Sequence, residues 1–338
     1  HGRDNSIRIW KMPSEVGSAT FSSSMVTNLP EPTLVHDVGV NALNYCAYDM
    51  TLTKGDNLTL KGWLVTPHTL DSAWLDVYEL PSQRRIVEAL GRNSPPSTSS
   101  IVPGPAAQER RPPVVMSLQT CFVEKVLWII AGYEDGSLRA WTTSLSTSEP
   151  MLMWAHKSHA EAIMAICVSP KLDSVLSVGA DYHIVRTPLT PNAVPEVHKV
   201  RRPGNACVSI RWDERVCVVG GWDACVRVYA WPLMEKLAKL SYHKSSIYSL
   251  AYTRFDPAHV LDVSQDGDSS SNGSSDEADA GSFGMNSVNE PSAKQLNKRQ
   301  PHSKMQLLAC GSKDGRISLW KIPFTPEDEQ QATHPSQI

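Results

Sequence analysis

The stretch Gly132 to Trp141, GYEDGSLRAW, decides the fold. A turn carrying Asp135 and Gly136 leads into a short strand that closes on an aromatic six residues after the Asp. The same phrase recurs as GRDNSIRIW (2–10), GGWDACVRVY (220–229) and GSKDGRISLW (311–320), so that Asp4 leads to Trp10, Asp223 to Tyr229 and Asp314 to Trp320. Two weaker copies lie between them. GADYHIVRTPL (179–189) keeps Asp181 but has Thr187 in the aromatic position, and TPHTLDSAWLDVYEL (66–80) offers Asp71 or Asp76 with Tyr78, its turn one residue off register.

A second phrase precedes several of these turns. HDVGVNALNY, HAEAIMAICV and HKSSIYSLAY place His36, His159 and His243 four residues before an alternating apolar run, and Arg111 holds that position before VVMSLQT. Period-two alternation predicts strands. Asp135 and Asp181 are 46 residues apart and Asp181 and Asp223 are 42 apart. The longer step to Asp314 contains a polar segment of about 50 residues, whose removal restores a period near 40.

A period of about 40 to 45 residues with a turn Asp and an aromatic-ended strand resembles the WD-repeat β-propellers, an all-β class of radially packed four-stranded blades. The pattern has physical reasons of its own. Asp-Gly and Asp-Asn supply the left-handed residue of a tight hairpin, and the carboxylate accepts hydrogen bonds from turn amides. A lead-in His can donate to that Asp, which pairs His36 with Asp71, His159 with Asp181 and His243 with Asp314. The terminal aromatics, Trp10, Tyr78, Trp141, Tyr229 and Trp320, are expected to fill the space between blades.

Three copies of one His/Asp pair argue for a repeated structural fastener and against an active site, and no phosphate loop, nucleophile elbow or HExxH helix is present. No enzyme activity, cofactor, metal site or small-molecule substrate is expected. The seven cysteines include no CxxC pair, and most lie in apolar strand-like runs as small buried hydrophobes. Thirty-two basic residues balance thirty-five acidic ones, so no sequence-specific nucleic-acid binding is expected. No apolar run reaches membrane-spanning length.

The chain reads as one propeller domain, 1–338, with a Pro/Ser-rich insert at 91–113, a Ser- and acid-rich insert at 256–304 expected to be disordered, and a tail at 323–338. Rigid scaffolds with loops on two faces usually bind proteins. The residues before each turn Asp, namely Arg3, Glu134, Trp222 and Lys313, are the candidate partner contacts. Trp222 is the strongest, because an aromatic at an exposed turn is typical of a binding hot spot.

The phrases LWIIAGYEDGSLRAW, VVGGWDACVRVYAW and LACGSKDGRISLWKI, in that order, resemble the family of ASTRA-associated protein 1 and G-protein-β-subunit-like protein 1. That resemblance implies a seven-bladed propeller in the nucleus, with the cytoplasm as a second location. It also implies partners within the ASTRA assembly: a kinase-like protein, cochaperone subunits and RuvB-like ATPases, acting in chromatin remodelling and transcription and in maturation of phosphatidylinositol-3-kinase-like kinases. Six turns against seven imply a fragment lacking roughly the first one to two blades, an open ring with unpaired edges beside Asp4 and Trp320. A G-protein-β-like signalling adaptor and a ubiquitin-ligase substrate receptor are the alternatives.

Overall fold

The computed structural model describes residues 4–11, 31–41, 46, 48–54, 60–93, 111–123, 126–144, 149–253 and 307–322. Arg3, the insert residues 94–110 and 256–304, and the tail 323–338 lie outside them. The described residues are all β, with no α-helix, and so no helix among them is long and apolar enough to cross a membrane. The chain divides into two compact units, 1–251 with 310–318 and 252–309 with 319–338.

The strands form six antiparallel sheets among the described residues. The first pairs β1 (Ser6–Lys11) with β2 (Thr33–Gly39). The second runs β3 (Asp49–Lys54), β4 (Leu60–Pro67), β5 (Leu75–Leu80), β6 (Arg84–Leu90). The third runs β7 (Val115–Val123), β8 (Val126–Tyr133), β9 (Ser137–Ser144), β10 (Pro150–Lys157). The fourth runs β11 (Ile163–Val168), β12 (Ser174–Gly179), β13 (His183–Pro188), β14 (Glu196–Lys199), and the fifth β15 (Asn205–Ile210), β16 (Val216–Gly221), β17 (Cys225–Ala230), β18 (Lys236–Ser241). The last holds β19 (Ile247–Tyr252), β20 (Leu307–Ser312) and β21 (Ile317–Lys321). Four-stranded up-and-down sheets of this order are WD-repeat propeller blades. Residues 91–113 join the outer strand β6 to the inner strand β7, and 256–304 join β19 to β20.

Within each blade, burial follows position. The second strands β12 and β16 are buried throughout, because apolar side chains on both of their faces meet a neighbouring sheet; the fourth strands β14 and β18 are mostly exposed and carry charge. The apolar cores therefore lie between blades. Trp63, Val77 and Leu75 of the second sheet pack with Ile129, Tyr133 and Trp141 of the third. Trp128, Ile130 and Trp154 of the third pack with Ile163 and Val175 of the fourth, and Leu176 and Ile184 of the fourth with Val219 and Tyr229 of the fifth.

A repeated irregularity marks the inner strands. Their pairing with the second strand slips at Val115/Ser117, Ile163/Ala165 and Asn205/Cys207, so a bulge sits at the start of the inner strand in three consecutive blades. Gly132 lies opposite the first of these. A Cβ there would collide with Ser117 and with Ile163 of the next blade, so only Gly lets the two inner strands approach.

Trp141 and Tyr229 are buried in the cores between blades, whereas Tyr78 and Trp320 are only partly buried and Trp10 is 50% exposed. Trp10 departs from the expected packing: it sits beside a register slip in a sheet of two described strands, whose buried contacts with the second sheet run through Ile7 and Val38 instead.

Candidate interaction surface

The hairpins joining second to third strands carry the turn aspartates, and backbone bonds stitch their tips into a belt within the larger unit. Each tip is bonded to the lead-in loop of its own inner strand: Glu134 N–H to Val114 O (2.9 Å), Ala180 N–H to Ala162 O (3.0 Å), Trp222 N–H to Gly204 O (2.8 Å) and Lys313 N–H to Ser246 O (2.9 Å). The tips at Ser72, Gly136, Ala180 and Trp222 are also bonded to the next blade's loop. Val115 N–H donates to Ser72 O (2.9 Å), His159 N–H to Gly136 O (3.3 Å), Gly204 N–H to Ala180 O (3.1 Å), and the Ser246 hydroxyl to Trp222 O (3.2 Å). The alternation runs from Ser72 to Lys313 and holds the tips in register, which preorganises whatever side chains they display.

Two kinds of fastener anchor the tip aspartates. In the first, His159 Nδ1–H donates to Asp181 (3.0 Å) while its Nε2 meets the Ser177 hydroxyl (2.9 Å). Asp181 also accepts from Ala160 N–H (2.7 Å) and His183 N–H (2.9 Å). Burial would raise its pKa, but the bonds from His159, His183 and Ala160 outweigh that and hold it down to about 2. His243 repeats the device, with Nδ1 on Asp314 (3.2 Å) and Nε2 on Ser318 Oγ (2.8 Å). The Lys244 and Arg316 amides and His243 keep Asp314 at about 2 as well.

The second fastener was not anticipated from the sequence. Asp223 is gripped by both terminal nitrogens of Arg227, four residues on, and Asp4 pairs with Arg8 at 2.6 Å. At Asp135 the Ser137 amide and hydroxyl take over (2.9 and 2.6 Å), and Arg139 lies over the Tyr133 ring at 4.7 Å. The signal was available, since Asp4, Asp135 and Asp223 each have an Arg four residues later, and Asp181 and Asp314 have Val185 and Ser318 there.

One expected pair does not form. His36 lies mid-strand in β2, opposite Ile9, and its Nδ1 meets Gln83 Nε2 at 2.6 Å; Asp71 instead accepts from Ala73 N–H in its own turn (2.9 Å). The expected position assumed a loop before the apolar run, but the strand occupies 33–39 and so carries His36 away from the tip. The buried pair of that blade is His68 Nδ1 with Asp76 (2.9 Å), to which Ala89 N–H also donates. Arg111, in the His position of the third sheet, reaches Glu134 at 3.1 Å rather than the neighbouring Asp135.

His159, Asp181 and His183 bring three potential metal-ligating atoms within 4.8 Å of one another. Each is already engaged in the hydrogen bonds above or, for His183 Nδ1, with Ser158 O at 3.2 Å, so the arrangement is that of a hydrogen-bonded fastener. The cysteines are free thiols, and all but the half-buried Cys167 are buried. Burial pushes Cys46, Cys121 and Cys207 up to about 12 and Cys167 and Cys310 to about 11, which leaves them as unreactive thiols at neutral pH.

What the belt displays is aromatic and basic at one end. Trp222 is 45% exposed, and its ring rests against Gly204, where a Cβ would collide with it. Tyr182, next to Asp181, is 46% exposed, and Tyr242, stacked edge-on against His243 at 5.1 Å, is 53% exposed. Sequence reading named Trp222, Glu134 and Lys313, all exposed here, but missed both tyrosines; an aromatic directly beside a fastened Asp or His was their signal.

Blades, fasteners and tip belt together define a WD-repeat β-propeller protein. No family model matches the chain. It is similar to ASTRA-associated protein 1 along nearly its whole length: it is 29% identical to that protein of Penicillium rubens, over 95% of this chain and 81% of that one, and 29% identical to that of Verticillium alfalfae, over 95% and 76%. It is also 30% identical to the guanine nucleotide-binding protein subunit beta-like protein 1 of Mus musculus, over 37% of this chain and 38% of that one.

Proposed function

We propose that the protein is a non-enzymatic interaction scaffold of an ASTRA-type assembly in the nucleus, serving chromatin remodelling and transcription. Its partners are protein subunits: a kinase-like protein, the cochaperone that matures phosphatidylinositol-3-kinase-like kinases, and RuvB-like ATPases. The observation that carries the reading is similarity to fungal ASTRA-associated protein 1 over 95% of the chain. The belt supports it physically. A row of tips fixed by alternating backbone bonds presents side chains at little ordering cost, which suits a platform for other proteins. The His/Asp pairs have their hydrogen-bonding capacity used within the fold, in keeping with a structural role.

Affinity purification of the full protein with mass spectrometry tests this. Kinase-like, cochaperone and RuvB-like subunits are expected to co-purify from nuclear extract. Recovery of none of them overturns the ASTRA reading, and recovery of a Gγ-type subunit in their place favours a signalling adaptor.

A further inference from the structure

The belt is chemically lopsided. Between the Asp181 and Asp314 turns, all three aspartates are spent on internal partners: Asp181 on His159, Asp223 on Arg227 and Asp314 on His243. The cations around them are not spent in that way. Arg201, Lys244 and Lys313 are exposed and make no side-chain bond among the described residues, and Arg202 reaches Asp223 only at 3.9 Å. Glu161 is exposed on the loop bonded to the Asp181 tip, and at the other end Glu134 is exposed with Arg111 committed to it.

Aromatic rings sit among these cations in a defined order. Val200 N–H donates to Tyr182 O (2.7 Å), which ties Tyr182 to the loop carrying Arg201 and Arg202. That loop ends on Gly204, the seat of the Trp222 ring, and Trp222 O accepts from Ser246, three residues from His243 and its edge-on Tyr242. Lys244 N–H donates to Asp314 (2.9 Å), which carries the row to the next tip. Three large aromatic surfaces are thus held open to water on a backbone that cannot easily fold them away. Leaving them wet is costly, and exposed, rigidly seated Trp and Tyr flanked by cations are what a binding surface provides.

We propose that this sector, from Tyr182 through Trp222 to Tyr242, docks a carboxylate-rich peptide segment of a protein partner, with an apolar side chain of that segment seated on Trp222. Charge complementarity selects the occupant: among the described residues of the tips and their lead-in loops from Tyr182 to Asp314 the carboxylates are the paired Asp223 and Asp314, so the sector offers cations and ring faces, with the exposed Glu161 marking its edge. A protein is favoured over a nucleic acid because the cations are few and interrupted by apolar rings, and the whole chain carries a net charge of -3. The proposal rests on the scaffold reading only in taking a protein segment as the occupant.

The test is fluorescence anisotropy with the full chain and three dye-labelled probes: a Glu-rich peptide carrying one Phe, the same peptide with Lys for Glu, and a single-stranded DNA of the same charge as the first. The Glu peptide is expected to bind, more weakly as salt rises, and the Lys peptide not to. Trp222→Ala is expected to weaken binding roughly tenfold or more. Because that change also uncovers Gly204, a second variant, Arg201→Glu with Lys244→Glu, alters only exposed side chains and is expected to lose the Glu peptide and gain the Lys peptide while its melting temperature stays put.

No binding of the Glu peptide at about 1 mM overturns the proposal. So does equal binding of both peptides, DNA binding tighter than the peptide, or double-variant binding like wild type. Purifying the double variant separates this proposal from the scaffold reading. ASTRA-type subunits retained at wild-type levels sink the sector and leave the scaffold standing. Their absence from the wild-type purification, with the Glu peptide still bound, sinks the ASTRA reading and leaves the sector standing.

Discussion

The neighbouring turns at Asp181 and Asp223 do one task with different chemistry. Asp181 is 4% exposed and accepts from a His that is itself bound to a Ser in the core, so the tip is nailed to two strands at once. Asp223 is more exposed and is gripped by Arg227 from the strand it leads into, a local bond within one hairpin. The backbones differ too, though not by fastener type, since Gly315 follows the His-held Asp314. Ala224 follows Asp223 in the left-handed region (φ 63°), as do Gly136 and Gly315 after their aspartates, whereas Tyr182 after Asp181 does not.

The largest effect is expected where the buried fastener is broken. His159→Ala leaves Asp181 as a buried carboxylate short of its main donor, and a loss of about 3 kcal/mol in denaturant unfolding is expected. Asp223→Ala, by contrast, removes the more exposed partner of a local pair but leaves Arg227, itself buried, short of its acceptor, and is expected to cost less, about 2 kcal/mol, and less again at high salt. Equal losses at the two sites would break the comparison.

Acid sharpens it. Asp181 in the fold titrates at about 2, below the ordinary carboxyl value near 3.9, so its stabilisation is complete above the unfolded value and fades as pH falls from there through 2. The contribution is on the order of 2 kcal/mol. Asp314 loses its share in the same window. Urea unfolding at pH of about 5 and about 2.5 should show the drop in wild type and a shallower one in Asp181→Asn. An unchanged slope in that variant would remove Asp181 from the account.

The contrast also explains how much was legible in the sequence. The repeat, the all-β class and the turn positions could be read because each blade restates the same hairpin chemistry at a fixed period. The pairings at His159 and His243 were readable for the same reason. His36 misled because its motif is matched in letters while the strand begins earlier than the motif implies, and strand ends depend on pairing with a distant partner, here Lys11 with Thr33. The arginine fastener went unseen although its spacing is regular, since an Arg four residues into a strand reads as an ordinary exposed position until the hairpin brings it back over the Asp. Exposure of Tyr182 and Tyr242 was signalled only by their place beside a fastened Asp or His, and that signal is weak because exposure depends on loops from two blades converging.

The smallest expected effect carries the opposite sign at the two turns. L-residues in the left-handed region pay roughly 1 kcal/mol that Gly does not. Gly in turn gives the unfolded chain more freedom, worth about 0.4 to 1 kcal/mol against the fold. At Ala224 the first term applies and slightly exceeds the second, so Ala224→Gly should stabilise by about 0.5 kcal/mol. At Tyr182 the first term is absent, because its φ is not left-handed, and only the second remains. Tyr182→Gly should therefore destabilise, by about 1 kcal/mol or less. Thermal melts of the two variants side by side read the difference, and a shift of the same sign in both would mean that the two turns share one geometry after all.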